Sequence, residues 1–279
     1  MCLYPRTAWQ LLSGGSLTFS PPPMQLWSSY RELQVPCGKC VECALAYSKE
    51  WQVRLLDELS AHRSACMVTL TYSEKYNPLA LVKSDIQKFI KRVRKHFEPQ
   101  KVRYFGCGEY GGKNARPHYH VILFGVKFDD RYVFFRGESG FTYRSPTLEN
   151  LWRFGFSSII DVTPESCKYV AKYLQKIDPR PQIVQPFVLM SKKPAIGLLN
   201  GLSGSRLRTD KLTVQGITVK LPRAYLRYAE KYYGVDLTDL KERRVMRISM
   251  RRYNRADLLE RRASYLKIFG ILYKVKKSF

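Results

Sequence analysis

The chain has 279 residues and carries 48 Lys and Arg against 23 Asp and Glu, a formal net charge of +25. Such a charge excludes an ordinary soluble metabolic enzyme and favours a polyanionic partner, because neutralising phosphates supplies much of the affinity for nucleic acids. A disordered basic tail is excluded as well, since 45% of the residues are hydrophobic and 13% are aromatic.

The excess charge is concentrated in the C-terminal part of the chain. Residues 181–279 hold 22 Lys and Arg against 7 Asp and Glu, a net charge of +15, and residues 1–180 carry the remaining +10. No apolar run approaches the length of a membrane-spanning helix, and the N-terminus lacks the pattern of a signal peptide. We therefore expect a cytoplasmic protein that binds a nucleic acid. An anionic membrane surface is the weaker alternative.

The first 36 residues are predicted to be irregular, because Gly14-Gly15 and the run Pro21-Pro22-Pro23 break regular structure. Hydrophobic periodicity and turn residues predict the elements that follow. They are a helix over 44–62, a strand over 65–72, a helix capped by Ser84 and running to about Phe97, strands over 102–109 and 117–124, a loop region over about 126–146, a short helix over 147–154, a strand over 156–162 and a helix opened by Thr163-Pro164-Glu165.

These elements alternate as αβαββαβα. A glycine pair, Gly111-Gly112, separates the strands over 102–109 and 117–124, which we expect to pair antiparallel. The order predicts an α+β fold, with an antiparallel sheet flanked by helices rather than a doubly wound parallel sheet. A basic helical region is expected over about 237–265. Three regions are predicted: an N-terminal segment with a cysteine cluster (1–45), a sheet domain (46–180) and a basic C-terminal region (181–279).

The strand over Pro117–Phe124 carries the most informative pattern. Side chains alternate between the two faces of a strand, so His118 and His120 lie on one face and offer two imidazoles to a metal ion. Pairing with the preceding strand would bring the carboxylate of Glu109 to the same ion. Two imidazoles and a carboxylate leave coordination positions open for substrate oxygens, as catalysis requires. Ordinary strand histidines and an ordinary strand-end carboxylate are the alternative.

A second pattern lies on the helix after the last of these strands. Tyr169 and Tyr173 are four residues apart and share a helical face, with Lys172 beside them. On spacing alone, two such tyrosines are more often packing residues.

Together these motifs resemble those of the HUH endonucleases, in particular their rolling-circle replication initiators. The motifs in order are Val68-Thr-Leu-Thr-Tyr72, Pro117-His-Tyr-His-Val-Ile-Leu-Phe124 and Tyr169-Val-Ala-Lys-Tyr173. The paired tyrosines are similar to the two-tyrosine class typified by the gene A protein of phiX-like microviruses. Residues 1–5, the box over 36–43 and the segment over 191–197 extend the resemblance to the replication initiators of gokushoviruses.

The resemblance implies an enzyme that nicks and rejoins DNA to start rolling-circle replication of a small single-stranded DNA phage. A Mg²⁺ or Mn²⁺ ion on Glu109, His118 and His120 would polarise the scissile phosphate, and Tyr169 or Tyr173 would attack it. The products would be a 5′-phosphotyrosine link and a free 3′-OH that primes the host polymerase. Because the ester keeps the energy of the broken bond, rejoining would need no ATP.

The resemblance also assigns further roles and partners. Lys172 would position the phosphate or assist transfer of the phenol proton, with an ordinary solvated helix residue as the alternative. Thr69 and Thr71 would shape the sheet beneath the site. Residues 46–180 would form the nicking domain, with Tyr169 expected to make the first nick. The implied partners are single-stranded DNA, the replication origin, and the host polymerase and helicase in the cytoplasm of a bacterium. No membrane and no small-molecule substrate are implied.

Three cysteines, Cys37, Cys40 and Cys43, recur at short equal spacing. In a cytosolic chain this spacing argues against a disulfide framework. A structural zinc site needs four ligands in a closed tetrahedron, and Cys2 is the candidate fourth ligand. Free buried thiols are the alternative. The other cysteines lie in apolar contexts typical of a protein core: Cys66, Cys107 and Cys167.

The basic C-terminal helical region is a candidate contact for the DNA backbone, with a solvated helix face as the alternative. Its candidate DNA-binding residues are Arg243, Arg244, Arg247, Arg251 and Arg252. Four tyrosines would stack on single-stranded bases or, equally, pack between helices. They are Tyr225, Tyr228, Tyr232 and Tyr233.

Two other functions remain open on the sequence. The first is a transposase or plasmid initiator of the same superfamily. Relaxases usually place their nucleophile before the histidine motif, whereas here the tyrosine helix follows it. The second is a zinc-containing DNA-binding regulator without catalytic activity.

Overall fold

A computed structural model describes residues 2–111, 115–137, 140–172, 183–199, 207, 209, 211–250 and 254–277, with the side chains of 266 and 268–277 left out. The chain divides into two compact units. The terminal unit comprises Met1–Tyr47 and Gly234–Phe279, and the sheet unit comprises Ser48–Tyr233. The functional boundaries after residues 45 and 180 stay a prediction.

Strands and helices are numbered here in chain order. The strands are β1 (Arg6–Leu11), β2 (Tyr30–Val35), β3 (Ala65–Tyr72), β4 (Arg103–Tyr110), β5 (Pro117–Phe124), β6 (Tyr132–Gly137), β7 (Gly140–Arg144), β8 (Gly155–Asp161), β9 (Phe187–Met190), β10 (Lys211–Val214) and β11 (Ile217–Lys220). The helices are α1 (Val41–Ser60), α2 (Lys83–His96), α3 (Pro146–Leu151), α4 (Pro164–Lys172), α5 (Arg223–Tyr233), α6 (Thr238–Ser249) and α7 (Arg255–Lys277). Among the described residues, no helix is both long and apolar enough to cross a membrane.

The sheet unit is built around a seven-stranded sheet in the order β6-β7-β8-β3-β5-β4-β9. Every paired neighbour in it runs antiparallel. β3 and β5 lie inside the sheet, and their side chains contribute to buried hydrophobic clusters on both of its faces. The predicted α+β fold, an antiparallel sheet flanked by helices, is confirmed.

The two faces of the sheet have separate hydrophobic cores. On the first face, Leu70 and Tyr119 share a buried cluster with Phe89 of α2 and Trp152, the residue that ends α3. On the second face, a buried cluster joins strand residues to α1 and α4. Its members include Met67, Phe105, Ile122, Trp51, Leu55, Cys167 and Val170.

A buried carboxylate, Glu58 on α1, fastens this helix to the edge of the sheet. The guanidinium of Arg103 on β4 donates to both of its oxygens, and the Gly197 N–H donates to Oε2 at 2.7 Å. Burial opposes ionisation of Glu58, but these donors together with His62 outweigh it and lower the pKa of the carboxyl group. The ion pair therefore holds charged groups in a fully buried position.

The segment over 191–197 is an architectural part of the sheet unit. The Ser191 hydroxyl accepts from the Tyr104 N–H of β4 at 3.1 Å, which extends the contact of β9 with this strand. At Gly197 the backbone has φ +82°, and a side chain would place its Cβ 2.7 Å from the Arg54 carbonyl oxygen. Only glycine fits this close approach.

Among its described side chains, the terminal unit has two small hydrophobic clusters. β1 and β2 form an antiparallel hairpin in which Arg6 pairs with Val35. One cluster joins this hairpin to α6, through Leu33, Val35, Val245 and Ile248. The other gathers cysteines with Leu3 and Tyr265.

Two predicted irregular regions contain hairpins, so those predictions are wrong. Residues 1–36 hold β1 and β2, and the glycine and proline residues lie in the connection between them. The loop region over about 126–146 holds β6 and β7. Its aromatic residues are exposed, so the alternation of buried and polar residues that marks a half-buried strand is missing.

The predicted cap of α2 is also wrong. The helix begins at Lys83, and Val82 rather than Ser84 is the N-cap residue, with no side-chain cap. The four apolar residues predicted to share one face of this helix are buried: Ile86, Phe89, Ile90 and Val93. The predicted core cysteines are buried as well: Cys66, Cys107 and Cys167.

Candidate active site

The pairing of β4 with β5 brings Glu109, His118 and His120 together, and these residues are called the triad below. Glu109 lies directly opposite His118, and Cys107 lies opposite His120. Because side chains alternate, all of these residues face the same side of the sheet. This is the second face, and the triad lies where the apolar side chains of β5 give way to polar ones.

The donor atoms of the triad converge on one point. Glu109 Oε1 is 2.9 Å from His118 Nε2 and 3.1 Å from His120 Nε2. The three donor atoms all lie within 4.8 Å of one another. The side chains of Glu109 and His120 are 5% and 9% exposed, and that of His118 is 17% exposed. The cluster is therefore shielded on the sheet side and opens to solvent beside His118.

The second nitrogen of each imidazole has its own partner. His118 Nδ1 donates to the Arg116 carbonyl oxygen at 3.2 Å, and His120 Nδ1 is 3.1 Å from the Thr69 hydroxyl oxygen. A carbonyl only accepts, so this contact favours the tautomer with the proton on Nδ1, which would leave the Nε2 lone pair available to a metal. Partners of this kind orient metal-binding histidines. Sequence reasoning assigned Thr69 to the sheet and missed this contact, although its pairing with His120 in register would have indicated it.

Helix α4 carries the candidate nucleophile. Its start is fixed by reciprocal bonds: the Ser166 N–H donates to the Thr163 hydroxyl at 3.2 Å, and the Thr163 N–H donates to the Ser166 hydroxyl at 2.7 Å. The predicted capping by Thr163 is confirmed. The buried residues Cys167 and Val170 lie on the side of the helix that packs against the sheet. This orientation leaves Tyr169 at the rim of the triad.

Tyr169 lies against the triad. Its ring centroid is 5.5 Å from that of His120, at an interplanar angle of 85°. The side chain is 42% exposed, so it is not a packing residue of the core. Lys172 is the last described residue of α4 and is exposed. Tyr173 lies outside the described residues.

A groove of about 380 Å³ adjoins the candidate site on the same face of the sheet. The residues that line it include Thr69, Thr71, Phe134, Phe135, Arg144 and Phe156. Three of them are strongly exposed aromatic residues: Phe134 at 61%, Phe135 at 59% and Phe156 at 60%. We call this feature the aromatic groove. In the sequence, the aromatic run Tyr132–Phe135 indicates this groove, but it falls within the predicted loop region over about 126–146.

In the terminal unit, four sulfur atoms lie within 4.8 Å of one another, and we call this group the cysteine cluster: Cys2, Cys37, Cys40 and Cys43. All of them are free thiols. Burial opposes ionisation of Cys40, but the N–H groups of Leu3 and Cys43 and the neighbouring thiols outweigh it and lower its pKa to about 6. Burial raises the pKa of Cys2 and raises that of Cys43 to about 12, the value to which it also raises the pKa values of the core thiols Cys66 and Cys167, so Cys40 carries the lowered pKa within the cluster.

The candidate DNA-binding arginines lie on α6 where the structure describes them. Arg243 and Arg247 are exposed, and Arg243 forms an ion pair with Asp239 at 3.0 Å. Arg244 is partly buried. Arg251 and Arg252 lie outside the described residues.

The four tyrosines of α5 differ in burial and in their contacts. Tyr225 is buried and donates to Asp57 at 2.8 Å, as a packing residue does. Tyr228 and Tyr232 stack with ring centroids 4.3 Å apart. Tyr232 and Tyr233 are 60% and 64% exposed.

Comparison with known proteins identifies the same central segment. Residues 65–178, from β3 to beyond the end of α4, match a family model of replication-associated proteins of the ORF2 type. The chain is 39% identical over 153 residues to the replication-associated protein ORF2 of Spiroplasma virus 4, across 51% of this chain and 48% of the relative. It is 32% identical over 177 residues to the replication-associated protein VP4 of Bdellovibrio phage phiMH2K, across 58% and 56%.

A third relative is the replication-associated protein ORF4 of Chlamydia phage 1, which is 32% identical over 151 residues across 51% of this chain and 38% of the relative. The aligned regions thus span about half the length of these relatives. No solved structure is detectably similar to the chain. The matches confirm the resemblance to microvirus replication proteins that the three motifs predict.

Proposed function

We propose that this protein nicks and rejoins DNA through a tyrosine, and so initiates rolling-circle replication of a small single-stranded DNA phage. The observation that carries the proposal is the convergence of the triad within 4.8 Å, with the exposed Tyr169 ring 5.5 Å from His120. The similarity to phage replication-associated proteins supports the biological setting. The same similarity favours a replication initiator over a transposase.

The triad fits a divalent cation that binds both nitrogen and oxygen donors. Three ligands leave positions open, and the site is accessible beside His118. Mg²⁺ prefers oxygen ligands, whereas Mn²⁺ accepts this mixed set readily, so we propose Mn²⁺ or Mg²⁺ with tighter binding of Mn²⁺. When bound, the ion would supply positive charge that polarises the scissile phosphate and stabilises the charge of the displacement.

The covalent step belongs to Tyr169, with Tyr173 as the second nucleophile. The phenol oxygen of Tyr169 forms a bond to phosphorus while the bond from phosphorus to the 3′ oxygen breaks. The phenol loses its proton and the leaving 3′ oxygen gains one, so the products are a 5′-phosphotyrosine ester and a 3′-OH. Lys172 lies one helical turn from Tyr169 and would position the phosphate or assist this proton transfer.

The aromatic groove is the proposed path of the single strand toward the triad. Exposed aromatic rings are suited to bind unpaired bases, because every base can stack on them regardless of sequence. Arg144 adds a charge for the backbone, and its guanidinium lies 5.3 Å from the Phe134 ring centroid. The groove and the triad share one face of the sheet, so a strand in the groove would end near Tyr169.

The proposed function also requires partners, which are origin DNA and host replication proteins. Origin DNA would be held by the basic C-terminal region, with Arg243, Arg244, Arg247, Arg251 and Arg252 as candidate backbone contacts. The free 3′-OH would be extended by the host polymerase, with a host helicase separating the strands, in the cytoplasm of the infected bacterium.

The proposal is tested by trapping the covalent product. The full chain is incubated with single-stranded origin DNA and Mn²⁺, and a protein–DNA adduct is sought on a denaturing gel. We expect an adduct from the native chain, its abolition by EDTA, and its loss in the Tyr169→Phe, Tyr173→Phe double variant. The single variants show which tyrosine makes the first nick.

Two outcomes would contradict the proposal. If the double variant forms as much adduct as the native chain, neither tyrosine is the nucleophile. If DNA binds tightly without any adduct or cleavage with either metal, the protein is not a nicking enzyme. That second result would favour a DNA-binding regulator without catalytic activity.

A further inference from the structure

We propose that the cysteine cluster binds one structural Zn²⁺ ion, which holds the terminal unit together and thereby keeps its basic helices in place. The four sulfur atoms come from the two ends of a chain segment: Cys2 lies before the β1–β2 hairpin, and the other three lie after it. The ion would link the residue before β1 to the residues after β2, at the open end of this hairpin.

The sulfur positions fit a tetrahedral zinc ion. A Zn–S bond of about 2.3 Å in a tetrahedron places neighbouring sulfur atoms about 3.8 Å apart. Here Cys2 Sγ and Cys40 Sγ are 3.8 Å apart, and Cys37 Sγ and Cys43 Sγ are 4.0 Å apart. All pairs lie within 4.8 Å. Four sulfur donors fill the coordination shell, so the site is closed and has no position for a substrate.

Backbone N–H groups around the cluster point at the sulfur atoms. The Leu3 N–H donates to Cys40 Sγ at 3.4 Å, and the Cys37 N–H donates to Cys2 Sγ at 3.2 Å. The Lys39 and Cys40 N–H groups both donate to Cys37 Sγ, at 3.4 and 3.3 Å. Such donors stabilise thiolates, the form in which cysteine binds zinc.

The terminal unit has little else to stabilise it. Its buried hydrophobic residues, among those whose side chains are described, are Cys2, Leu3, Ala8, Leu33, Val35, Cys40, Leu237 and Leu240. Units with so small a core usually need disulfides or a metal ion in order to fold. Since every cysteine is a free thiol, the four clustered sulfur atoms are available to a metal ion that would supply this stabilisation.

The cluster also reaches the C-terminal helix α7. Tyr265 packs against the cysteines, and its hydroxyl donates to the Glu42 carboxylate, which lies between Cys40 and Cys43 in the chain. Arg262 donates to the Leu3 carbonyl oxygen at 2.9 Å and lies 4.2 Å from the Tyr4 ring centroid. Loss of the ion would therefore loosen α7 as well as the N-terminal segment.

The first experiment uses the native full-length chain. Purified under reducing conditions, it should contain about one zinc per molecule by elemental analysis. Exchange for Co²⁺ should give the intense absorption of tetrahedral thiolate coordination. Removal of zinc with a chelator should expose residues 2–47 and 234–277 to limited proteolysis while the sheet unit stays resistant, and adding zinc back should restore protection.

The second experiment assigns the ligands. Cys2→Ser and Cys40→Ser should each lower the zinc content severalfold and increase proteolysis of the terminal unit. Cys66→Ala, a buried cysteine of the sheet unit, and His120→Ala, a triad residue, should both retain one zinc. The proposal is overturned if the native chain carries no zinc, if the cysteines form two disulfides, or if Cys2→Ser keeps full zinc content.

Discussion

The sheet unit and the terminal unit each gather side chains that could bind a metal ion, but they differ in the donor atoms and in the packing behind them. In the sheet unit, two nitrogens and one oxygen meet on a sheet with a hydrophobic core on each face. In the terminal unit, four sulfurs meet among few buried residues. Three donors leave room for a substrate, whereas four sulfurs close the coordination shell.

A bound ion would have a different role in each unit. The sheet unit buries large side chains such as Trp152 and Phe89, so we expect it to fold without a metal ion. Metal binding there would serve the chemistry. The described side chains of the terminal unit form no comparable core, so metal binding there would serve the fold. Loss of one ion should therefore stop cleavage without unfolding, and loss of the other should loosen structure without removing the triad.

The largest effect is expected for His120→Ala. Removing one of three metal ligands should lower the rate of adduct formation at least about 1,000-fold, because the ion supplies several kcal/mol of transition-state stabilisation. Chemical unfolding of the sheet unit should change little by comparison. His96→Ala, at the end of α2, is the control and should keep the native rate. If a triad variant kept the native rate of adduct formation, the metal at the triad would not serve catalysis. The proposed difference between the two units would then be wrong.

Glu58→Gln should destabilise the sheet unit by about 3–5 kcal/mol, because Arg103 would remain buried without its counter-charge. The urea midpoint measures this effect. Glu149→Gln, which removes a half-exposed partner of Arg144, should cost less than about 1 kcal/mol. Zinc content should stay the same in both variants. A Glu58 variant with native stability would contradict the role of this ion pair in the sheet unit.

The lowered pKa of Glu58 also predicts the direction of a pH effect. The contribution of this carboxylate is fully present above its ordinary pKa of 4.5 and is lost as the pH falls toward the lower pKa of the folded state. The stability of the native chain should therefore fall more steeply with acid than that of Glu58→Gln. Urea unfolding at a series of pH values would measure the two slopes.

Local sequence patterns were enough to predict the triad. β4 and β5 are neighbours in the chain with a short turn between them, so alternation and pairing together indicated that Glu109, His118 and His120 meet. The order of helices and strands from α1 to α4 was predictable for the same reason. The β6–β7 hairpin was not predicted from the sequence, because its exposed aromatic residues do not alternate with polar residues.

Contacts between distant residues could not be predicted. The Gly197 N–H that binds Glu58 lies 139 residues further along the chain, and no periodicity marks either residue for the other. Cys2 was proposed beside the other cysteines only from the count of zinc ligands, since it lies 38 residues from Cys40. Packing in three dimensions decides such contacts.

Thr69→Val tests whether the Thr69 hydroxyl orients His120 for metal binding. Loss of the hydroxyl partner of His120 should weaken Mn²⁺ binding about 10- to 100-fold. A positioning role predicts that excess Mn²⁺ restores most of the adduct rate, whereas general damage to the fold would not be rescued by metal. Thr213→Val, whose hydroxyl bonds to Thr218 on the separate β10–β11 hairpin, is the control and should leave Mn²⁺ affinity unchanged.

Phe135→Ala tests the aromatic groove. Loss of one stacking ring should weaken binding of single-stranded DNA about tenfold, since base stacking on an aromatic residue contributes about 1–3 kcal/mol. Duplex DNA should be affected less. Phe141 lies on the opposite face of the same hairpin, so Phe141→Ala should keep native affinity. Equal losses in both variants would show that the hairpin, rather than the groove, is responsible.

The smallest effect is expected in the terminal unit, for the pair Arg243→Gln, Arg247→Gln. Each lost phosphate contact should reduce the slope of log affinity against log salt by about 0.7 for a single strand, with only a severalfold loss of affinity. Lys91→Gln, Lys95→Gln removes the same charge from exposed positions on α2, the helix that covers the sheet face opposite the triad. Equal slopes for the two double variants would mean that net charge alone sets binding. A smaller slope only for the α6 variant would assign DNA contact to the unit that zinc is proposed to hold together, and chelation should then reduce the slope in the same way.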